Sequence, residues 1–209
     1  MKKIITSILL ILSFNSIAQL NGISVFKINK THISIIDSLI KAKYKLTFLN
    51  RITDKSDPDY YYKSNCPNTE IWKIKRYVVS DIKLENVMLK FYKDTLISFS
   101  CDGNNEFKEA LFLKYGEPKP VVKTKPVNCE YLHNGAVVKR EDKSFVKTWN
   151  ENEDIDASYT DSFFYSYKCI LTQSSFFLVS NKLKYKIETD CDNLYKSMPS
   201  SEGKKFKDL

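Results

Sequence analysis

The sequence predicts an α+β protein: antiparallel β-sheet, two principal helices at about 32–43 and 105–115, and a β-rich C-terminal third. Three observations carry that reading. Residues 87–101 alternate apolar and polar side chains around a short polar break, the pattern of a β-hairpin. Residues 104–118 carry helix start and stop signals. Several further alternating segments, separated by turn residues, fill the second half of the chain.

The register of the hairpin follows from its apolar faces. A two-residue loop at Lys93-Asp94 sets Val87, Leu89 and Phe91 beside Leu96, Ser98 and Ser100, a half-polar face. A three-residue loop from Lys93 to Thr95 sets the same residues beside Ile97, Phe99 and Cys101. A one-residue slip exchanges the faces of a strand, so the fully apolar face selects the second register. The turn has no glycine to take a positive φ.

Asp102-Gly103 then turns the chain, and Asn104 or Asn105 can cap the helix through its side-chain oxygen. Glu106 and Glu109 sit near the positive helix end and Lys114 near the negative end. Gly116 supplies the left-handed position after the helix, and Pro118 prevents its continuation. Phe107, Ala110, Leu111 and Tyr115 form one stripe. Phe112 and Leu113 lie outside it, which predicts a helix covered on more than one side.

Earlier in the chain, Ile23 to Ile28 reads as a strand. Thr31 reads as an N-cap, followed by Ile33, Ile36, Leu39 and Ile40 at helical spacing. Tyr44, Leu46 and Phe48 alternate as a strand, as do Trp72, Ile74 and Val78. After Pro118, the Pro- and Lys-rich connector allows a subdomain boundary near 117–126. Asn134-Gly135 between apolar segments is a hairpin signal. Phe145 to Trp149, Phe163 to Leu171, Phe176 to Val179 and Leu183 to Ile187 read as strands. The last, with Lys182, Lys184 and Lys186 alternating, has the pattern of a protected edge.

Residues 1–18 have the form of a signal peptide: basic Lys2 and Lys3, the apolar run Ile4 to Phe14, then Ser16-Ile17-Ala18, with cleavage expected between Ala18 and Gln19. No later run is apolar and long enough to span a bilayer, so no transmembrane segment is expected in the mature chain. Residues 19–198 then form a single α+β domain and 199–209 a polar, flexible tail. Export makes the five cysteines, Cys66, Cys101, Cys129, Cys169 and Cys191, candidates for two disulfides and one leftover thiol. Spacing does not choose among the pairings, and Cys101 or Cys169 could equally be a buried small hydrophobe.

The formal net charge is +8. All but three (Arg51, Arg76, Arg140) of the 33 basic residues are lysines spread along the chain, which argues against nucleic-acid recognition, where forked arginine contacts dominate. Zinc-type cysteine spacing is absent. The acidic run from Asn150 to Asp156, with Asp161 beyond it, alternates oxygen ligands like a calcium loop. It has Ile155 where the sharp turn needs Gly and Asp161 where a bidentate Glu is expected, so no metal and no cofactor is predicted. Nucleophile-elbow, metalloprotease and phosphate-loop motifs are missing, so no catalytic residue is assigned.

What remains is a binding surface. The segment from Asn50 to Glu70 is the longest loop candidate, and Tyr60, Tyr61 and Tyr62 stand together in it beside Asp57 and Asp59. Aromatics beside carboxylates suit a protein or glycan partner in the cell envelope or outside the cell. The expected function is therefore that of an exported, non-catalytic binding or envelope-associated protein. Its rivals are an exported hydrolase, using carboxylates or a Cys129–His133 pair, and an inhibitor or immunity protein that binds one enzyme.

Overall fold

The computed structural model describes residues 20–49, 66, 68–130, 135–149, 154–164 and 171–197. Residues 1–18, Tyr60–Tyr62 with Asp57 and Asp59, Cys169, His133 and residues 199–209 lie outside the described residues.

The architecture is α+β, built on antiparallel sheet, as the patterning predicts. The chain order is β1 (Gly22–Ile23), β2 (Phe26–Lys27), α1 (Ile35–Lys41), β3 (Leu46–Phe48), β4 (Thr69–Val79), β5 (Ile82–Tyr92), β6 (Thr95–Asp102), α2 (Asn105–Tyr115), β7 (Val121–Glu130), β8 (Val137–Trp149), β9 (Ile155–Phe164), β10 (Leu171–Ser180) and α3 (Asn181–Ser197). Among the described residues, strands β3 to β10 form one eight-stranded sheet in the order β3-β4-β5-β6-β10-β9-β8-β7, and β1 pairs with β2 in a separate two-stranded sheet. The connector after Pro118 runs straight into β7, an edge strand of this sheet. Pro126 is tolerated there because an edge leaves one side of the ladder unpaired.

One face of the sheet is covered by the β1–β2 hairpin, α1 and α2. Phe26 packs its ring 4.9 Å from Tyr77 and 5.6 Å from Phe99. Phe107 of α2 meets Phe176 edge-on at 5.2 Å. Leu20, Ile36, Leu39, Val87, Leu89, Phe91, Cys101, Leu111 and Tyr159 complete this core.

Both hairpin registers occur in β5–β6. Met88 pairs with Ser100, Leu89 with Phe99 and Lys90 with Ser98, the register that the apolar face selects. Past Lys90 the pairing shifts by one, so that Phe91 meets Leu96, Tyr92 meets Thr95 and the loop is only Lys93-Asp94. A bulge reconciles the two. It keeps Leu96 in the main core and turns Ile97 to the opposite face. Lys93 and Asp94 take φ of 45° and 62° without glycine, as the mirror-image turn of a two-residue hairpin requires.

Other local expectations need correction. Residues 23–28 make a tight hairpin rather than one strand, with Ser24 at φ 52°. Thr31 does not cap α1. Its hydroxyl accepts from Lys27 N at 2.7 Å and donates to the Val25 carbonyl at 2.9 Å, closing that hairpin, while α1 starts only at Ile35. In β4, Val78 is exposed and Tyr77 buried, because the buried positions step from Ile74 to Tyr77 opposite a left-handed Asn86 (φ 50°). In α2, Asn104 caps through Phe107 N at 2.8 Å and Gly116 ends the helix at φ 79°. Phe112 is covered by Trp149, but Leu113 is 89% exposed, so coverage stops one residue short of the expectation. Phe163 to Leu171 spans the end of β9 and the start of β10, with Phe164 paired to Leu171, rather than one strand.

The main departure is α3. Leu183 to Ile187 is helical, not an edge strand. Leu183, Ile187 and Cys191 recur every four residues and face the sheet, while Tyr185 is 69% exposed. A pair spaced by four satisfies both a strand and a helix period, so the alternation alone was ambiguous.

Candidate functional site

The face of the sheet opposite the main core is only partly covered. Helix α3 lies over one end of it and leaves a cleft beside itself. Ser180 starts this helix: its hydroxyl accepts from Leu183 N at 3.4 Å, and Asn181 N donates to the Asp154 carbonyl at 2.9 Å. Leu183, Ile187 and Cys191 then pack with Tyr92 and Ile97 in a small second core. The helix is also tied covalently by the Cys66–Cys191 disulfide. Tyr92 donates its phenolic hydrogen to the Asp190 carboxylate.

The cleft has a volume of about 320 Å³ and is lined by Ile71, Met88, Lys90, Ile97, Ser98, Ser100, Phe177, Val179, Lys184, Ile187 and Glu188. That volume lies at the lower end of the ~300–1,000 Å³ of small-ligand sites. Each strand contributes alternate residues, so side chains two apart on β5, β6 and β10 converge here. A second hollow of about 440 Å³ adjoins it and shares Met88, Ser100 and Phe177. Beside Cys101 and Phe176, its remaining walls are polar: Lys73, Asn86, Asp102, Gln173 and Ser175, with Asn86 Nδ2 donating to Asp102 at 2.7 Å. Together the hollows make one groove, apolar under α3 and polar towards Asp102.

Electrostatics distinguish the apolar end. Burial holds the Lys90 ammonium below its usual range, opposed by the charge of Glu188. The ion pairs found among the described residues do not include Lys90. Tyr92 is pushed up to about 12, first by its hydrogen bond to Asp190, then by burial and by the charge of that carboxylate. On the opposite face, burial raises the Cys101 thiol well above its ordinary value, with the charge of Asp102 adding to it.

The cysteines resolve as two kinds. Cys66 and Cys191 are bonded across 125 residues, Cys129 is also disulfide-bonded, and Cys101 is a buried free thiol. Cys129 therefore offers no thiolate for a Cys129–His133 nucleophile. Asp161, beyond the acidic run, points to the α2 side. It pairs with Lys108 at 3.2 Å and accepts from Ser174 at 2.6 Å, so it is engaged in packing. Among the described residues, no three His, Cys, Asp or Glu side chains come together as metal ligands. No helix of the described residues is long and apolar enough to cross a membrane. Sequence reasoning missed the groove because its walls come from four strands and a helix. The available signal was Ser180 followed by Leu183, Ile187 and Cys191 at helical spacing.

No family model, curated protein or solved structure matches this chain.

Proposed function

We propose that this chain is an exported, non-catalytic binding protein and that the groove beside α3 holds its ligand. The observation that carries the reading is an apolar cleft left open between a covalently tethered helix and the sheet, with a half-buried lysine in its wall. Export is supported by the Cys66–Cys191 bond, which suits an oxidising compartment, and by the charge and hydropathy of residues 1–18. The segment with Asp57, Asp59 and Tyr60–Tyr62 precedes Cys66 in the sequence, and Cys66 is bonded to Cys191 of the helix that walls the cleft. That segment is the second surface for a protein or glycan partner in the envelope or outside the cell.

The test is native mass spectrometry of the protein purified without denaturation from its own host. Wild type should carry a small-molecule adduct that Ser100→Trp, which fills the groove, lacks while remaining folded by circular dichroism. Adduct-free wild type, with a protein cross-linked at Tyr60–Tyr62 instead, would move the binding site to that loop.

A further inference from the structure

We propose that the cleft takes an amphiphile with an apolar chain and a single anionic group, the anion meeting Lys90 and the chain lying against Met88, Ile97, Phe177 and Val179. This rests on the groove being the ligand site. The cleft lining holds two cations, Lys90 and Lys184, and one anion, Glu188. One positive charge is left over in a hollow whose other walls are mainly aliphatic and aromatic. Lys90 comes from β5, in the sheet, and Glu188 from α3, whose residue here is exposed to solvent. Glu188 favours the charged lysine, yet no carboxylate of the described residues lies within ion-pair distance of it.

The Lys90 ammonium stands in a mainly apolar wall with no carboxylate of the described residues at ion-pair distance, so a ligand anion gains a charge-assisted contact there that the protein itself does not supply. A neutral ligand forgoes that contact, and a cation adds repulsion. The adjoining hollow is a poorer seat for the anion, because Asp102 there offsets Lys73 and leaves no positive charge over. The apolar walls select the rest of the molecule. Ile97 and Val179 are buried, but Phe177 is 44% exposed and Met88 half-buried, so an alkyl chain laid along them removes apolar surface from water. The shared chemistry, a chain ending in a monoanion, could come from a free long-chain carboxylate or from a lipid phosphate.

The experiment is calorimetric titration of delipidated protein with four probes below their micelle concentrations: decanoate, decyl phosphate, decanol and decyltrimethylammonium. We expect the two anions to bind with one-to-one stoichiometry, and decanol and the cation at least tenfold more weakly. Preference for decanoate assigns a free carboxylate, and preference for decyl phosphate assigns a lipid phosphate. Lys90→Met should weaken anion binding at least tenfold, Lys90→Arg should restore most of it, and the exposed Lys139→Met should change nothing. Decanol binding as tightly as decanoate, with Lys90→Met silent, would overturn the anionic assignment while leaving the groove as the site. If no probe binds and a different adduct occupies the groove by mass spectrometry, the ligand class is wrong. If neither is seen, the site itself is wrong.

Discussion

Tyr92, at the end of β5, donates its hydroxyl hydrogen to Asp190 of α3 across 98 residues of sequence. Lys93 Nζ stands 5.4 Å from the same ring. This bond makes the docking of α3 depend on a neutral tyrosine. The Tyr92 pKa is raised from 10.0 to about 12, so its contribution is complete below pH 10 and disappears as the pH rises through 12. Tyr92→Phe should cost on the order of 1.5 kcal/mol at neutral pH. Urea midpoints measured in pH steps should show the gap between wild type and Tyr92→Phe constant below about pH 10 and closing above it. A gap independent of pH up to 12 would mean that the hydroxyl does not hold the helix.

The Cys66–Cys191 bond closes a loop of 125 residues, which restricts the unfolded chain strongly. Replacing both cysteines with serine should lower stability by about 2–4 kcal/mol, read as a fall in the denaturation midpoint. Cys101 is buried, and its thiolate is disfavoured further by burial. A thiol reagent should therefore leave Cys101 untouched in the native protein and label it once the chain is unfolded. Labelling of the native protein at the unfolded chain's rate would contradict the burial.

Asn104 has two tasks at the start of α2. Its oxygen accepts from Phe107 N at 2.8 Å, and its amide donates to the Lys83 carbonyl at 2.8 Å. Asn104→Ala should cost about 1 kcal/mol or somewhat more, since both bonds go. Asn104→Asp keeps only the cap and should recover part of the loss. Equal thermal midpoints for wild type and Asn104→Ala would remove the cap from the account of this helix.

Gly103 is required by close approach. A Cβ there would stand 2.5 Å from Tyr159 Oη and 2.8 Å from Ser174 Cβ, while the backbone N–H already donates to the Ser174 carbonyl at 2.6 Å. Tyr159 is buried and its hydroxyl donates to the Asn104 carbonyl at 3.2 Å, so it cannot move freely. Gly103→Ala should cost roughly 1–3 kcal/mol by overpacking. Because the closest clash is with the hydroxyl, the combination with Tyr159→Phe should cost less than the two changes added. Strict additivity in that cycle would place the strain elsewhere.

Features made between sequence neighbours were legible. The Asn104 cap, the Gly116 stop and the apolar stripe of Phe107 and Leu111 each depend on residues within one helix, so the spacing carries them. The β5–β6 hairpin was half legible. The apolar face selected the register of Met88 to Lys90, but the turn imposed its own at Phe91, and only a bulge satisfies both. The expected surface at Tyr60–Tyr62 was suggested by composition alone.

The sequence by itself thus determined the α+β class, most of the strands, the α2 boundaries and the supply of cysteines, because periodicity and capping are local. Only the tertiary structure decided that residues 181–197 are helical, that Cys66 pairs with Cys191, and that Lys90 and Glu188 share a groove. Leu183 and Ile187 fit either period. What settles them is burial against Tyr92 and Ile97, which lie about 90 residues earlier in the chain. Contacts at that separation are set by how the sheet is ordered, which no local pattern of side chains encodes.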